Sequence, residues 1–86
     1  METICVCGAG TMGSGIAQVS AASGYNTILY DVDPAMLEKA SLKLEQDLNS
    51  LVNKQKITDE KKSAIKKNIL FTSDLMLLKA DVVIEA

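Results

Sequence analysis

Ile4-Cys5-Val6-Cys7-Gly8-Ala9-Gly10-Thr11-Met12-Gly13-Ser14-Gly15-Ile16-Ala17 carries an apolar run into a bend with glycine at positions 8, 10 and 13. Residues 3–7 are apolar on both faces, as a central parallel strand requires. A helix is expected directly after them, from about Thr11 to Ser23. Such a bend aims backbone N–H groups and the positive end of a helix at one point, where a pyrophosphate can sit. Each glycine has its own task in that geometry. Gly8 makes the tight turn, Gly10 admits the pyrophosphate without a Cβ in the way, and Gly13 lets the helix pack against the first strand. Ala9, Thr11 and Met12 complete the candidate cofactor contacts, with the Met12 side chain expected in the core. The chemistry implied is dinucleotide binding.

The next strand supports this. Asn26–Tyr30 is β-rich and ends at Asp31, where the motif places an acid for the adenosine ribose hydroxyls. A carboxylate there repels a 2′-phosphate, and the chain has no arginine to hold one, so NAD is expected over NADP.

Working outward, the remaining segments alternate. In the first helix, Met12, Ile16 and Val19 form the expected apolar face, with Gly13, Ala17 and Ser20 as a small-residue flank that allows close approach to the sheet. Gly24 is placed for a left-handed cap. Asp33-Pro34 opens a long helix to about Asn53, with Leu37, Ala40, Leu44, Leu48 and Leu51 as its stripe. That stripe is expected to pack on a shorter helix near Ile65, opened by Thr58 and closed by Lys66 and Lys67. Ile69–Thr72 and Asp81–Glu85 read as strands, with a brief helix from Ser73 to Leu78 between them. The order β-α-β-α-α-β-α-β predicts an α/β fold. It is the first half (strand order 3-2-1-4) of a Rossmann-type doubly wound parallel sheet with helices on both faces and a helical pair between strands 2 and 3. Ending on a fourth strand leaves an open edge. Residues 1–86 are therefore expected to be a fragment, or a truncated form, of a larger protein.

Composition narrows the function. Eighty-six residues make one small domain with a thin core, and only 3% are aromatic. A net charge of −2 offers no electrostatic footprint for nucleic acid or an anionic membrane. Cys5 and Cys7 supply too few soft ligands for a metal and are expected to pack in the strand of a protein from a reducing, cytoplasmic setting. No leader or membrane-length apolar run is evident. The chain has no histidine, the usual general acid/base near neutral pH, and no catalytic residue is assigned within it. Glu85 reads as a cap or turn partner, and Lys54 and Lys56 read as a solvated loop.

The decade Gly8–Ala17 resembles the start of the 3-hydroxyacyl-CoA dehydrogenases, especially the bacterial 3-hydroxybutyryl-CoA dehydrogenases. The likeness continues through Tyr30-Asp31, Leu51-Val52-Asn53-Lys54 and Asp81–Ala86. The resemblance implies the first part of an NAD-binding domain in an enzyme that interconverts 3-hydroxyacyl-CoA and 3-oxoacyl-CoA. It matches Gly8–Gly13 to the dinucleotide turn, Asp31 to the ribose acid, Ala86 to an alanine near the cofactor and Lys54 to a lysine that contacts coenzyme A. Asp47 stands where the family has a polar CoA contact, and a carboxylate there repels phosphate. The family's histidine–glutamate pair and its dimerising helical domain lie beyond Ala86. The implied partners are an acyl-CoA substrate and a second copy of the parent chain, so the segment alone is expected to be inactive. Two alternatives stay open: a stand-alone NAD-binding module, or a dehydrogenase of small hydroxy acids.

Overall fold

Alternation of side chains along short strands explains how this chain divides its core. The computed structural model describes residues 2–74 and 80–86. Strand β1 (Thr3–Cys7) pairs in parallel with β2 (Asn26–Tyr30) on one side and β4 (Val82–Glu85) on the other. Strand β3 (Ile69–Thr72) pairs in parallel with β2, giving the order β3-β2-β1-β4. The predicted order is therefore found. Because strand side chains alternate between faces, Val6 and Leu29 join one buried cluster, while Cys5, Ile28 and Tyr30 join another.

Helices α1 (Thr11–Ala22), α2 (Pro34–Asn53) and α3 (Asp59–Lys67) all feed the first cluster. Among the described residues, the second cluster packs against Cys7 and Ala80. Helices on both faces were expected, but the brief helix predicted for the second face lies mostly outside the described residues. Its first two positions, Ser73 and Asp74, are not helical.

Helix α2 keeps its predicted bounds and buries Leu37, Ala40, Leu44 and Leu48, with Leu51 partly covered. Asp33 caps it, its side chain accepting from the Ala35 N–H at 2.9 Å, and Pro34 fills the first turn, where a missing N–H costs nothing. Thr58 caps α3 by accepting from the Lys61 N–H at 3.1 Å. Ile65 of α3 is buried in the same cluster as the α2 leucines, as the helix-on-helix reading requires. Outside it, Lys62 and Lys66 of α3 pair with Glu45 of α2 at 3.0 and 2.7 Å, and these contacts hold the Glu45 carboxyl below its usual range.

Helix α1 brings its small-residue flank against the sheet as expected, and Ile16 packs on the core, but Met12 and Val19 do not. Its buried residues are Gly13, Ala17, Ser20 and Ala21, whereas Met12 and Val19 are 70% and 67% exposed. The small residues face the sheet because a parallel strand layer admits the helix closely only where side chains are short. Close approach also buries a polar pair, Ser20 and Thr27, whose hydroxyls hydrogen-bond at 2.9 Å and so satisfy each other.

Candidate functional site

The carboxyl ends of β1, β2 and β4 meet at the glycine bend. The Gly8 N–H donates to the Tyr30 carbonyl at 2.8 Å, and the Ala86 N–H donates to the Cys7 carbonyl at 3.0 Å. Gly8 has φ +105°, a left-handed backbone that favours glycine, and a Cβ there would stand 2.9 Å from the Ala86 carbonyl oxygen. A Cβ on Gly13 would stand 1.7 Å from the Gly8 carbonyl oxygen. Gly13 thus seats α1 on the bend itself, where packing against the strand was expected. Ala86 lies on the other flank, its Cβ 3.5 Å from the Cβ position at Gly13.

Gly10 behaves differently. It is the N-cap of α1 with ordinary extended angles, and a Cβ built on it meets nothing within 4 Å. Packing does not require glycine at this position. The requirement makes sense if the open space belongs to a ligand. The helix end agrees: α1 has no side-chain cap and no acid in its first turn, whereas α2 and α3 each carry a capping side chain. First-turn N–H groups without an internal acceptor, at the positive helix end, suit an anion.

Asp31 sits beside this opening. Its Oδ2 accepts from the Ala9 N–H at 2.8 Å, and its Oδ1 accepts from the Asp33 N–H at 2.9 Å. The Ala9 bond first, then the Asp33 bond, hold its carboxyl below the usual range. Asp31 is therefore an acceptor-only group near neutral pH. A carboxylate has about four lone-pair sites, so roughly two remain for a diol. The residues present fit a dinucleotide: open space at Gly10 for phosphate, and a fixed carboxylate for the ribose.

The structure brings Gly8, Ala9, Gly10, Thr11, Met12, Gly13, Asp31 and Ala86 together at these strand ends. Lys54 is elsewhere, exposed at the C-cap of α2. Asp47, one helical face earlier, stands 3.8 Å from the Lys43 ammonium. Cys5 and Cys7 are free thiols with Sγ atoms 4.0 Å apart. Burial first, then Cys7, pushes the Cys5 thiol up to about 11, consistent with a packing role. Among the described residues no cluster of three or more metal-ligating side chains occurs, and no helix is long and apolar enough to cross a membrane. Two features of the site escaped the sequence reading. Asp31 braces the bend through Ala9, and Ser14 Oγ donates to the Ala9 carbonyl at 3.1 Å. A serine one residue past the last motif glycine was the available signal for the second.

Known proteins share this arrangement. The family model "3-hydroxyacyl-CoA dehydrogenase, NAD binding domain" matches residues 3–86. The 3-hydroxyadipyl-CoA dehydrogenase of Escherichia coli (strain K12) is 39% identical over 87 residues, covering 100% of this chain and 18% of that protein. A probable 3-hydroxybutyryl-CoA dehydrogenase of Bacillus subtilis (strain 168) is 37% identical over 87 residues, covering 100% of this chain and 30% of that protein. The crystal structure of (S)-3-hydroxybutyryl-CoA dehydrogenase from Ralstonia eutropha superposes with a TM-score of 0.93 at 34% identity, covering 100% of this chain and 31% of that one. The chain thus spans under a third of the length of these relatives. With its glycine bend, its strand order and these likenesses taken together, the chain belongs to the 3-hydroxyacyl-CoA dehydrogenase family, as an NAD-binding domain.

Proposed function

We propose that the bend Gly8–Gly13 holds the pyrophosphate of NAD and that Asp31 holds the adenosine ribose, in a protein that interconverts 3-hydroxyacyl-CoA and 3-oxoacyl-CoA. The observation that carries this is the open space at Gly10 beside an ionised Asp31. The N–H groups of Thr11, Met12 and Gly13 bind the phosphates, and the bracing of Ala9 by Asp31 keeps them aimed. Ala86 borders the site on the β4 side, where it would flank the bound cofactor. Bound NAD supplies a hydride acceptor or donor at its nicotinamide ring. This chain contributes orientation, and we assign proton transfer to residues beyond it, as the family resemblance implies. The substrate we assign is 3-hydroxybutyryl-CoA, supported by the names of the Bacillus and Ralstonia relatives. Lys54 is assigned to coenzyme A, and the setting to the cytoplasm. Association of copies is assigned to segments beyond this chain.

A second acyl group, 3-hydroxyadipyl, is favoured by the name of the Escherichia coli relative. Titration calorimetry with NAD and NADP tests the cofactor roles; preference for NADP would defeat the role of Asp31. Initial rates of the full-length protein with 3-hydroxybutyryl-CoA and 3-hydroxyadipyl-CoA test the substrate. A higher kcat/KM on the second overturns our assignment, and no activity on either overturns the parent reaction.

A further inference from the structure

The side of α2 that runs past the glycine bend carries two cations that the cofactor reading leaves without a task. Met36, Lys39, Ala40 and Lys43 recur at i, i+3, i+4 and i+7, so they form one stripe of the helix. This stripe faces the bend at Gly10 and Thr11, and together they line a cleft of about 130 Å³. That is room for a phosphate group, or for roughly four waters at liquid density.

The charged side chains that line the cleft are both lysines, with the Asp31 carboxylate at its edge, held by the Ala9 N–H at 2.8 Å. The first turn of α1 brings its positive end and no acidic side chain. Lys43 has one weak neighbour, Asp47, at 3.8 Å, and both side chains are nearly half exposed. Exposed pairs of that length restrain an ammonium little.

We propose that Lys39 and Lys43 are affinity-determining residues for the dinucleotide, reaching its pyrophosphate from the α2 side while the bend holds it from below. The proposal rests on the reading that this bend binds the pyrophosphate. The phosphates of coenzyme A are the other source of the same chemistry. The dinucleotide is favoured because the cleft is lined by the bend itself, and because the next residue of the stripe, Asp47, repels a second anion farther along α2.

The test uses the full-length protein as wild type, K39Q/K43Q and K39R/K43R, with thermal melts to verify folding. NAD affinity is measured by titration calorimetry in about 0.1 M and about 1 M NaCl, where the screening length falls from roughly 10 Å to 3 Å. The glutamine pair is expected to weaken NAD binding about three- to tenfold in low salt and little in high salt, as partly exposed charge contacts do. The arginine pair should keep wild-type affinity. The KM for NAD should rise in the glutamine pair while that for acyl-CoA stays put. Equal NAD affinity in wild type and the glutamine pair overturns the proposal, as does a loss that persists in high salt or one confined to acyl-CoA. Absence of NAD binding in the wild type overturns both the proposal and the reading beneath it.

Discussion

Gly10→Ala separates a glycine kept for a ligand from one kept for the fold. Its backbone angles, φ −71° and ψ −170°, suit any residue. The added methyl meets no protein atom within 4 Å. Two small effects on stability then oppose each other. Alanine is a poorer N-cap than glycine, by about 0.5–1 kcal/mol. The stiffer unfolded chain returns about 0.4–1 kcal/mol. The net change should lie within about 0.5 kcal/mol, or roughly 2–4 °C in melting temperature for a domain this small. Binding should suffer far more. A methyl in space filled by a phosphate oxygen acts as overpacking, which costs about 1–3 kcal/mol. That corresponds to roughly a fivefold to hundredfold rise in Kd. Thermal melts and NAD titration of the same preparation give both numbers. NAD affinity within a factor of two of wild type (about 0.4 kcal/mol) refutes the reasoning. So does a melting drop above about 10 °C, since it would mean that the methyl meets protein after all.

Gly13→Ala should do the reverse and damage the fold first: with Gly8 O 1.7 Å from the new Cβ, two backbone segments must part, so a melting drop of at least about 10 °C is expected. Asp31→Asn turns an amide N–H toward either the Ala9 or the Asp33 donor, so about 1–3 kcal/mol of stability should go, read by urea unfolding, along with NAD affinity. Because the Asp31 carboxyl is depressed in the folded state, its stabilisation is present above the unfolded value near about 3.9 and lost as pH falls through the folded one. NAD affinity should accordingly stay level from neutrality down to about pH 5 as far as Asp31 is concerned, and a binding midpoint near about pH 6 that vanishes in Asp31→Asn would contradict it. Leu48→Ala empties a fully buried position between α2 and the sheet and should cost about 2–5 kcal/mol in chemical denaturation while leaving the glycine bend intact.

The parts of this molecule written in backbone demands were legible in its sequence. Gly24 has the left-handed angle expected of it, Gly8 makes the expected turn, and the caps at Asp33 and Thr58 are where the residue types put them. The strand order followed from alternation and handed crossovers alone. On α1 the small-residue approach to the sheet was legible, but the exposure of Met12 and Val19 was not. Hydrophobicity pointed to Met12 and Val19, but closeness of approach decided, and the buried side is lined by Gly13, Ala17 and Ser20. A residue scale that scores transfer from water cannot register how near two backbones must come. The site was half legible for a related reason. The glycine spacing and Asp31 announce a ligand, but the bond from the Ala9 N–H to Asp31 joins residues 22 apart, and no local pattern encodes it. Lys39 and Lys43 carry no local signal, because helical periodicity does not say which loop will lie alongside.

The bonds from Gly8 to Tyr30 and from Ala86 to Cys7 lash the cradle to its neighbouring strands before any guest arrives. A seat strung so firmly has little left to rearrange on loading. Coenzyme entry should then be governed by diffusion and orientation rather than by a slow isomerisation of the host.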